Sequence, residues 1–389
     1  MRFGKAIHRE WLLDPNITFL NHGSFGATPK VVLDVQRDWQ ERLESEPIRF
    51  FKRDFPEAIE PIRERLASFI KADSQDIVFV ENATMGINAV LRSLIPEFSP
   101  GDELLTTSHV YGAVRKTLDY VADTSGATVV EAYVPFPIDD PQQVIDAIVS
   151  KITARTKFAL IDHVTSSTGI VFPIERIIPI LKERGITVMI DGAHAPGMLD
   201  IDIAALDVDY YSGNCHKWLF APKGAAFLWT KRTLQPKIHP VVISEHYGKN
   251  YQLEFGWVGT RDLTALLSIG AGMDFLEEHG IGEVRSYNAE VTLKAREVVT
   301  KALGVPFGAP TSMLTSLCTM PLPGNPAATD ESVLRLHDTI FDNYQIEVPA
   351  LKVNGELLLR FSVQIYNELS EYERLAEVLT ELRAKGILG

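Results

Sequence analysis

The chain has 389 residues, enough for a large buried core and for two or three domains. Its formal net charge of −13 at pH 7 argues against a nucleic-acid-binding protein, because phosphate contacts need a basic surface. Only two cysteines occur, Cys215 and Cys318, so a disulfide-rich secreted scaffold is excluded. There is no apolar leader and no run of the ~18 apolar residues of a membrane span, so we expect a cytoplasmic protein with no membrane association.

Over most of the chain, apolar strands alternate with amphipathic helices. The predicted strands are DIVFV (76–80), DELLTT (102–107), KFALIDHV (157–164) and TVMID (187–191). This alternation predicts an α/β protein with a mostly parallel sheet covered by helices on both faces. In such sheets ligands bind beyond the carboxyl ends of the strands. The polar residues that fall there are Thr84, His109, Tyr111, Ser166, Asp191 and His194.

The end of the chain has a different pattern. A helix-rich stretch from about 275 precedes three predicted strands, SMLTSLCTMPL (312–322), YQIEVPALKV (344–353) and ELLLRFSVQIY (356–366). A last helix has Leu375, Val378, Leu379 and Leu382 at helical spacing. We therefore predict a large domain over 20–265 and a smaller α+β domain formed by 1–19 and 266–389.

The stretch SGNCHKWLFA (212–221) holds three candidate reactive side chains in a row. Cys215 and His216 make a poor thiol–base pair, because neighbours on an extended segment point to opposite faces. A zinc site from Cys215, His194 and His163 lacks the short ligand spacing typical of such sites. Lys217 lies among aromatic residues, and desolvation would favour its neutral, nucleophilic amine. The residues therefore favour amine chemistry at Lys217.

Residues at three further places in the sequence have both an ordinary and a functional interpretation. Asp191, after four apolar residues, either caps a loop or presents a carboxylate to a cationic ring nitrogen. Thr84 and Gly86 lie where a strand turns into a helix, which favours either an N-cap or a phosphate site. Tyr111 of SHVYGA (108–113) either stacks on a ring or belongs to the core.

Four motifs in the same order resemble the class V aminotransferase family: DGAHAPG (191–197), DYYSGNCHKWLFAPKG (209–224), GWVGTRD (256–262) and LLLRFSVQIYN (357–367). The family comprises fold-type I enzymes that use pyridoxal 5′-phosphate (PLP), and it includes the cysteine desulfurases. FLNHGSFGATP (19–29) and GNCHKWL are most similar to its isopenicillin N epimerase-like subgroup. The resemblance extends from about 18 to 370.

The resemblance implies roles for individual residues around the cofactor. Lys217 would be the Schiff-base lysine and the base that removes the substrate Cα proton. Asp191 would pair with the pyridinium nitrogen, which makes the ring an electron sink. His194 would lie beside the phenolic oxygen, and Tyr111 would stack on the ring. The other implied cofactor contacts are Ala83, Thr84, Met85, Ser166, Asn214 and His216.

The same resemblance implies a homodimer and a substrate site. Thr260 would reach the phosphate of the neighbouring subunit's cofactor. Arg360 would bind the substrate α-carboxylate, because its planar fork matches a carboxylate. His22 and Arg49 are further candidates for substrate contact or for a proton donor on the second face, where Tyr111 is also a candidate.

The expected substrate is an amino acid or the amino-acid end of a peptide, and the leading hypothesis is an epimerase-like reaction. A carbon–sulfur or other β-lyase, or an aminotransferase, is the alternative. A non-catalytic cofactor-binding protein is the third alternative, and the presence of Lys217, Asp191 and Arg360 argues against it. Desulfurases carry a cysteine some fifteen residues before the carboxylate-binding arginine. FDNYQIEVPALKVNGE (341–356) has none, so persulfide transfer of that kind is not expected.

Overall fold

The computed structural model describes residues 3–324 and 326–388. The predicted strands are present with ends shifted by up to five residues, except that the predicted strand 344–353 is divided into two short strands that belong to different sheets. Within these residues the strands are β1 (Thr18–Phe19), β2 (Ile77–Val80), β3 (Glu103–Thr107), β4 (Thr128–Ala132), β5 (Thr156–Asp162), β6 (Thr187–Asp191), β7 (Tyr210–Asn214), β8 (Ala226–Thr230), β9 (Leu317–Pro321), β10 (Ile346–Glu347), β11 (Ala350–Val353) and β12 (Glu356–Ser362).

Helices connect the strands and cover the sheet. In the same part of the chain the α-helices are α1 (His22–Phe25), α2 (Lys30–Ser45), α3 (Pro47–Arg49), α4 (Phe55–Phe69), α5 (Ala83–Ser93), α6 (Gly112–Ser125), α7 (Gln142–Val149), α8 (Ile174–Lys182), α9 (Ile203–Leu206), α10 (Tyr251–Gly256), α11 (Thr264–Leu267), α12 (Ile269–Glu278), α13 (Ile281–Leu303), α14 (Asp330–Tyr344) and α15 (Leu369–Ala384). Among the described residues, none of these helices is both long and apolar enough to span a membrane.

The large sheet has the order β2-β8-β7-β6-β5-β3-β4. Its pairs are parallel except those made by β8, which runs antiparallel to β2 and β7. The central strands are apolar and buried on both faces, as expected of a parallel sheet covered by helices. The predicted α/β class with a mostly parallel sheet is confirmed.

A second, antiparallel sheet has the order β11-β12-β9 and packs on helices near the end of the chain. Its core includes residues of α13 and α15, such as Val299 and Leu379, and also Leu20 from near the start of the chain. Residues of α12, such as Met273, belong instead to the core of the large sheet. The domain boundary near 265 stays a prediction.

The N-terminal segment contacts the loop that carries Lys217. β1 pairs with β10 in a separate two-stranded sheet, and His22 of α1 then bonds the Lys217 carbonyl oxygen at 3.0 Å. Gly26 adopts φ +73°, and a Cβ there would lie 2.2 Å from the His216 carbonyl oxygen. A residue without a side chain is therefore needed for this close approach.

Candidate active site

Lys217 lies in the loop after β7, and its amine contacts a histidine. Its Nζ is 3.1 Å from His194 Nε2, while the Trp218 indole N–H donates to His194 Nδ1 at 3.3 Å. Because an indole only donates, Nδ1 is unprotonated and the neutral ring carries its proton on Nε2. That N–H needs an acceptor, which a neutral amine supplies and an ammonium does not. Burial, followed by the charge of Arg360, lowers the pKa of Lys217 to about 8.

Asp191 ends β6 at the carboxyl edge of the sheet, as predicted. It is buried, its Oδ1 accepts the Ala193 N–H at 2.9 Å, and it lies near enough to Lys217 for their charges to interact. Burial raises the pKa of its carboxyl, whereas the Ala193 N–H and Lys217 act in the opposite direction. A cationic group placed against Asp191 would stabilise its carboxylate.

The start of α5 presents polar donors at the same edge of the sheet. Asn214 Oδ1 accepts the Ala83 N–H at 2.8 Å, and Asn82 Oδ1 accepts the Met85 N–H at 2.9 Å. The N–H of Thr84 has no acceptor among the described residues. Since Oδ1 of Asn214 is occupied by Ala83, its amide is oriented with the Nδ2 donors available. Thr84 and Asn214, with the helix dipole, suit an anion such as a phosphate.

His216 follows Asn214, which bonds this helix start, by two residues and is anchored by one nitrogen. Its Nδ1 is 3.0 Å from the Ala225 carbonyl oxygen, which can only accept, so Nδ1 carries a proton. Burial, followed by the charge of Lys217, lowers the pKa of His216 to about 4. The neutral ring therefore offers Nε2 as an acceptor, and it can donate there only after an anion has raised the pKa.

Arg360 is a buried arginine of β12, and among the described residues its recorded side-chain hydrogen bonds all go to neutral oxygens. Its guanidinium donates to the Ser166 carbonyl oxygen and, at 3.1 Å, to Ser24 Oγ, while Nε has no partner. Burial lowers its pKa to about 10. A buried cation held only by neutral oxygens is costly unless an anion joins it, so the geometry suits a carboxylate.

His22 is fully buried behind Lys217 and uses both ring nitrogens inside the protein. Its Nδ1 accepts from the Tyr366 hydroxyl at 2.8 Å and from the Ala27 N–H at 3.2 Å. Nε2 therefore carries the proton and donates to the Lys217 carbonyl oxygen at 3.0 Å. Burial lowers the pKa of His22 to about 3, so the ring is neutral. His22 supports the backbone of Lys217 and leaves no ring nitrogen for a substrate.

The remaining predicted residues lie in different parts of the structure. Arg49 is on exposed α3 and contacts Asp54, and none of its recorded side-chain contacts is with Lys217, His194 or Arg360. Tyr111 begins α6, about half exposed, and α6 is joined to α5 by the 3.0 Å bond between Asn88 and Thr117. The Ser166 carbonyl oxygen meets Arg360. Thr260 is exposed and lines a cavity of about 140 Å³ that also contains Met85.

The two cysteines are buried, and burial raises the pKa of both thiols, that of Cys318 to about 12. A thiol kept protonated in this way is a poor nucleophile. His163, the third member of the alternative zinc set, bonds the Tyr211 hydroxyl at 2.9 Å. Within residues 3–324 and 326–388 no three metal-binding side chains are grouped.

Two residues that sequence reasoning did not select belong to this site. Asp162 ends β5 and pairs in register with Asp191, so two carboxyl groups lie side by side. Burial, followed by the charge of Asp191, raises the pKa of Asp162 well above its usual range, and its Oδ2 has no partner. The signal was present, because KFALID ends in an acid just as TVMID does. The role of Trp218 depends on the position of His194, which no local pattern reveals.

Together these groups fit PLP. Lys217 offers a neutral amine, Asp191 a carboxylate for a cationic ring nitrogen, and the start of α5 a place for a phosphate. These groups lie at the ends of β6 and β7 and at the start of the helix after β2, on a mostly parallel sheet. Arg360, whose recorded side-chain hydrogen bonds go to neutral oxygens, would take the carboxylate of an amino acid.

The fold is that of the fold-type I PLP enzymes. A solved structure of a variant of C-DES, a cystine C–S lyase, with glycine covalently linked to its PLP cofactor, superposes with a TM-score of 0.78. The two chains are 20% identical over 94% of this chain and 97% of that one, a likeness that establishes the fold alone.

The family model "Aminotransferase class-V" matches residues 19–375, so the chain belongs to the class V aminotransferase family. Isopenicillin N epimerase of Amycolatopsis lactamdurans is 34% identical, covering 95% of this chain and 96% of its own. A probable chloroplastic L-cysteine desulfhydrase of Arabidopsis thaliana is 32% identical, covering 96% of this chain and 84% of its own.

Proposed function

We propose that the protein is a PLP-dependent enzyme that removes the Cα proton of an amino acid or an amino-acid-derived substrate, with an epimerase-like outcome. The observation that carries this proposal is the Lys217 amine, 3.1 Å from His194 and near both Asp191 and Arg360. When bound, the cofactor supplies an electron sink for the pair of electrons left at Cα. Binding, orientation and proton transfer depend on Lys217, His194 and Arg360.

Each of these residues has a role that follows from its contacts. Arg360 binds the substrate carboxylate and thereby fixes Cα relative to Lys217. Lys217, with its pKa lowered to about 8, takes the Cα proton as a general base. Asp191 keeps a ring nitrogen protonated, and His194, through its Nε2–H, donates to an oxygen placed beside Lys217.

A carbon–sulfur lyase is the second candidate, and one observation favours it. Epimerisation needs a proton donor on the face opposite Lys217, and three residues were candidates for it. His22 is occupied with Tyr366 and Lys217, and Arg49 is paired with Asp54 on the surface. Only Tyr111 of these three is left, whereas elimination of a β-substituent needs no second base. A relative named L-cysteine desulfhydrase agrees with this alternative.

Sulfur transfer through a protein persulfide is not part of the proposal. β10 and β11, in the stretch before Arg360 where a desulfurase carries its cysteine, contain no cysteine. Cys318 is paired into the small sheet opposite Phe361 and is buried. A β-lyase of this chain would therefore release its sulfur product directly from the substrate.

We also propose a homodimer. Thr260 and Met85 line one cavity near the start of α5, and exposed apolar side chains lie close by in sequence, namely Val242, Ile243, Tyr247 and Leu253. A second subunit packed there would place its Thr260 next to this phosphate site. Sedimentation of the purified protein at micromolar concentration tests this, and a monomer would contradict it.

The test of function is a panel of L- and D-amino acids and cysteine conjugates in deuterated water, using protein loaded with PLP. Deuterium at Cα with inversion supports the epimerase, while pyruvate and ammonia support the lyase. Replacing Tyr111 with Phe should abolish inversion but leave elimination intact. Borohydride should fix the cofactor to Lys217, and fixation at another lysine in Lys217→Ala would contradict the proposed site.

A further inference from the structure

A groove of about 600 Å³ lies next to Arg360, and the side chain of Asn21 stands between the two. Asn21 lines the groove, and its Oδ1 lies 3.5 Å from the Arg360 guanidinium. Pro349 lines it as well, and its carbonyl oxygen accepts the backbone N–H of Arg360 at 3.1 Å. The groove therefore adjoins Arg360 through Asn21, which contacts the guanidinium, and through Pro349, which contacts the backbone.

The walls of the groove are mainly apolar. They comprise Ile17, Phe19, Phe25, Val333, Leu334, Phe341, Pro349 and Ala350. Phe25 and Leu334 are 74% and 61% exposed. Covering such side chains with apolar atoms is favourable by about 25 cal/mol for each Å² removed from water. The volume lies within the ordinary range for small-molecule sites and exceeds what the side chain of cysteine or alanine would fill.

The polar groups of the groove already have partners. Glu347 accepts from Asn21 Nδ2 at 2.9 Å and lies 3.2 Å from His337 Nε2. A second charged group of a ligand would have to displace one of these contacts, at a cost in desolvation. The groove is therefore better suited to a neutral apolar group than to a charged one.

We propose that this groove binds the apolar arm of the substrate, so that the enzyme acts on amino acids with an extended, uncharged, apolar side chain. The inference rests on the proposed function, since Arg360 must hold the substrate carboxylate for the arm to enter the groove. Free cysteine and alanine, which leave Phe25 and Leu334 in water, are poorer ligands.

The test compares two ligands that differ only in the arm, S-benzyl-L-cysteine and S-methyl-L-cysteine. Each is titrated into protein loaded with PLP while the visible absorbance of the cofactor is followed. The benzyl ligand should bind about tenfold more tightly or better, as expected for burial of an aromatic ring. In Leu334→Asp this preference should largely disappear while the methyl ligand binds as before. Ile387→Asp changes an equally apolar exposed position outside the groove and should keep the preference.

Four results would overturn the inference. Equal affinities in the unaltered protein, or equal weakening of both ligands in Leu334→Asp, would exclude an arm-binding role. If Leu334→Asp instead converts a dimer into a monomer in sedimentation, the occupant of the groove is a second copy of the chain. If no amino acid changes the absorbance, both the proposed function and this inference are wrong. That outcome differs from the first two results, in which the ligands still bind.

Discussion

The two ends of the site are built in different ways. At the cofactor end, Asp191, Asn214 and Lys217 lie at the ends of two adjacent strands, β6 and β7. At the substrate end, Arg360 on β12 meets Ser24 of α1, 336 residues earlier in the chain. The ends of the parallel strands position most of the first end, where His22 also supports the Lys217 backbone, while the second exists only when the N-terminal segment and the small sheet dock together. Substrate choice can therefore change without disturbing the cofactor groups.

The largest expected effect belongs to the cofactor end, in the pair Asp191 and Asp162. Asp191→Asn should lower turnover about 10³-fold, the order of loss seen when a preorganised electrostatic group is removed. Asp162→Asn is the matched control, because Asp162 ends the neighbouring strand and its raised pKa makes it a neutral acid. Since an amide resembles a neutral acid, turnover should fall by less than about tenfold. Equal losses in the two variants would contradict the assignment of the charge to Asp191.

At the substrate end, Arg360→Leu should raise the KM for amino acids about 100-fold, as expected when one partner of a buried charged contact is lost. The visible absorbance of the bound cofactor should remain, because Arg360 lies outside the strand-end groups. Arg360→Lys keeps the charge but loses the planar fork, so an intermediate KM is expected. Loss of cofactor binding in Arg360→Leu would mean that the two ends are not separate.

The difference between the two ends also explains what the sequence could predict. Asp191 and Lys217 stand beside strongly apolar stretches, TVMID and WLFA, so local pattern selected both as candidates, and the parallel sheet followed from the same alternation. The hydrogen-bond partners of His22 could not be predicted in this way. Its partners, Tyr366 and the Lys217 carbonyl, lie 344 and 195 residues away, and only the folded chain shows that its nitrogens are occupied. For Arg49 the local pattern does not separate a site arginine from a surface one, so its role stays a prediction.

His22 connects the two ends, and its replacement should affect stability more than ligand binding. His22→Phe leaves the Lys217 carbonyl, the Tyr366 hydroxyl and the Ala27 N–H without partners, at a cost of about 2–3 kcal/mol in unfolding free energy. Tyr366→Phe removes one of these bonds and should cost about 1 kcal/mol. Urea unfolding measures both. If His22→Phe unfolds normally but has a raised KM, His22 is a substrate contact after all.

The smallest expected effect is on the pH dependence of cofactor capture by Lys217. This effect involves both ends of the site. Because the pKa of Lys217 is lowered to about 8, capture of added PLP by cofactor-free protein should rise with pH and level off above about pH 8. Below that pH the amine is protonated and cannot attack a carbonyl. By the same linkage, this lysine raises the unfolding free energy with increasing pH between 8 and its ordinary value of 10.5, since the unfolded chain holds the proton more tightly.

The neighbours of Lys217 set the direction of two further shifts. After burial, Arg360 lowers its pKa and Asp191 raises it. In Arg360→Leu the midpoint of PLP capture should therefore move to higher pH, and in Asp191→Asn to lower pH, each followed by the growth of visible absorbance after mixing. An unchanged midpoint in Arg360→Leu would show that the arginine does not act on the amine. A shift in the predicted direction would show that the substrate end, although built separately, tunes the base at the cofactor end. Binding of a substrate carboxylate to Arg360 would then neutralise that charge and make Lys217 more basic as the Cα proton is removed.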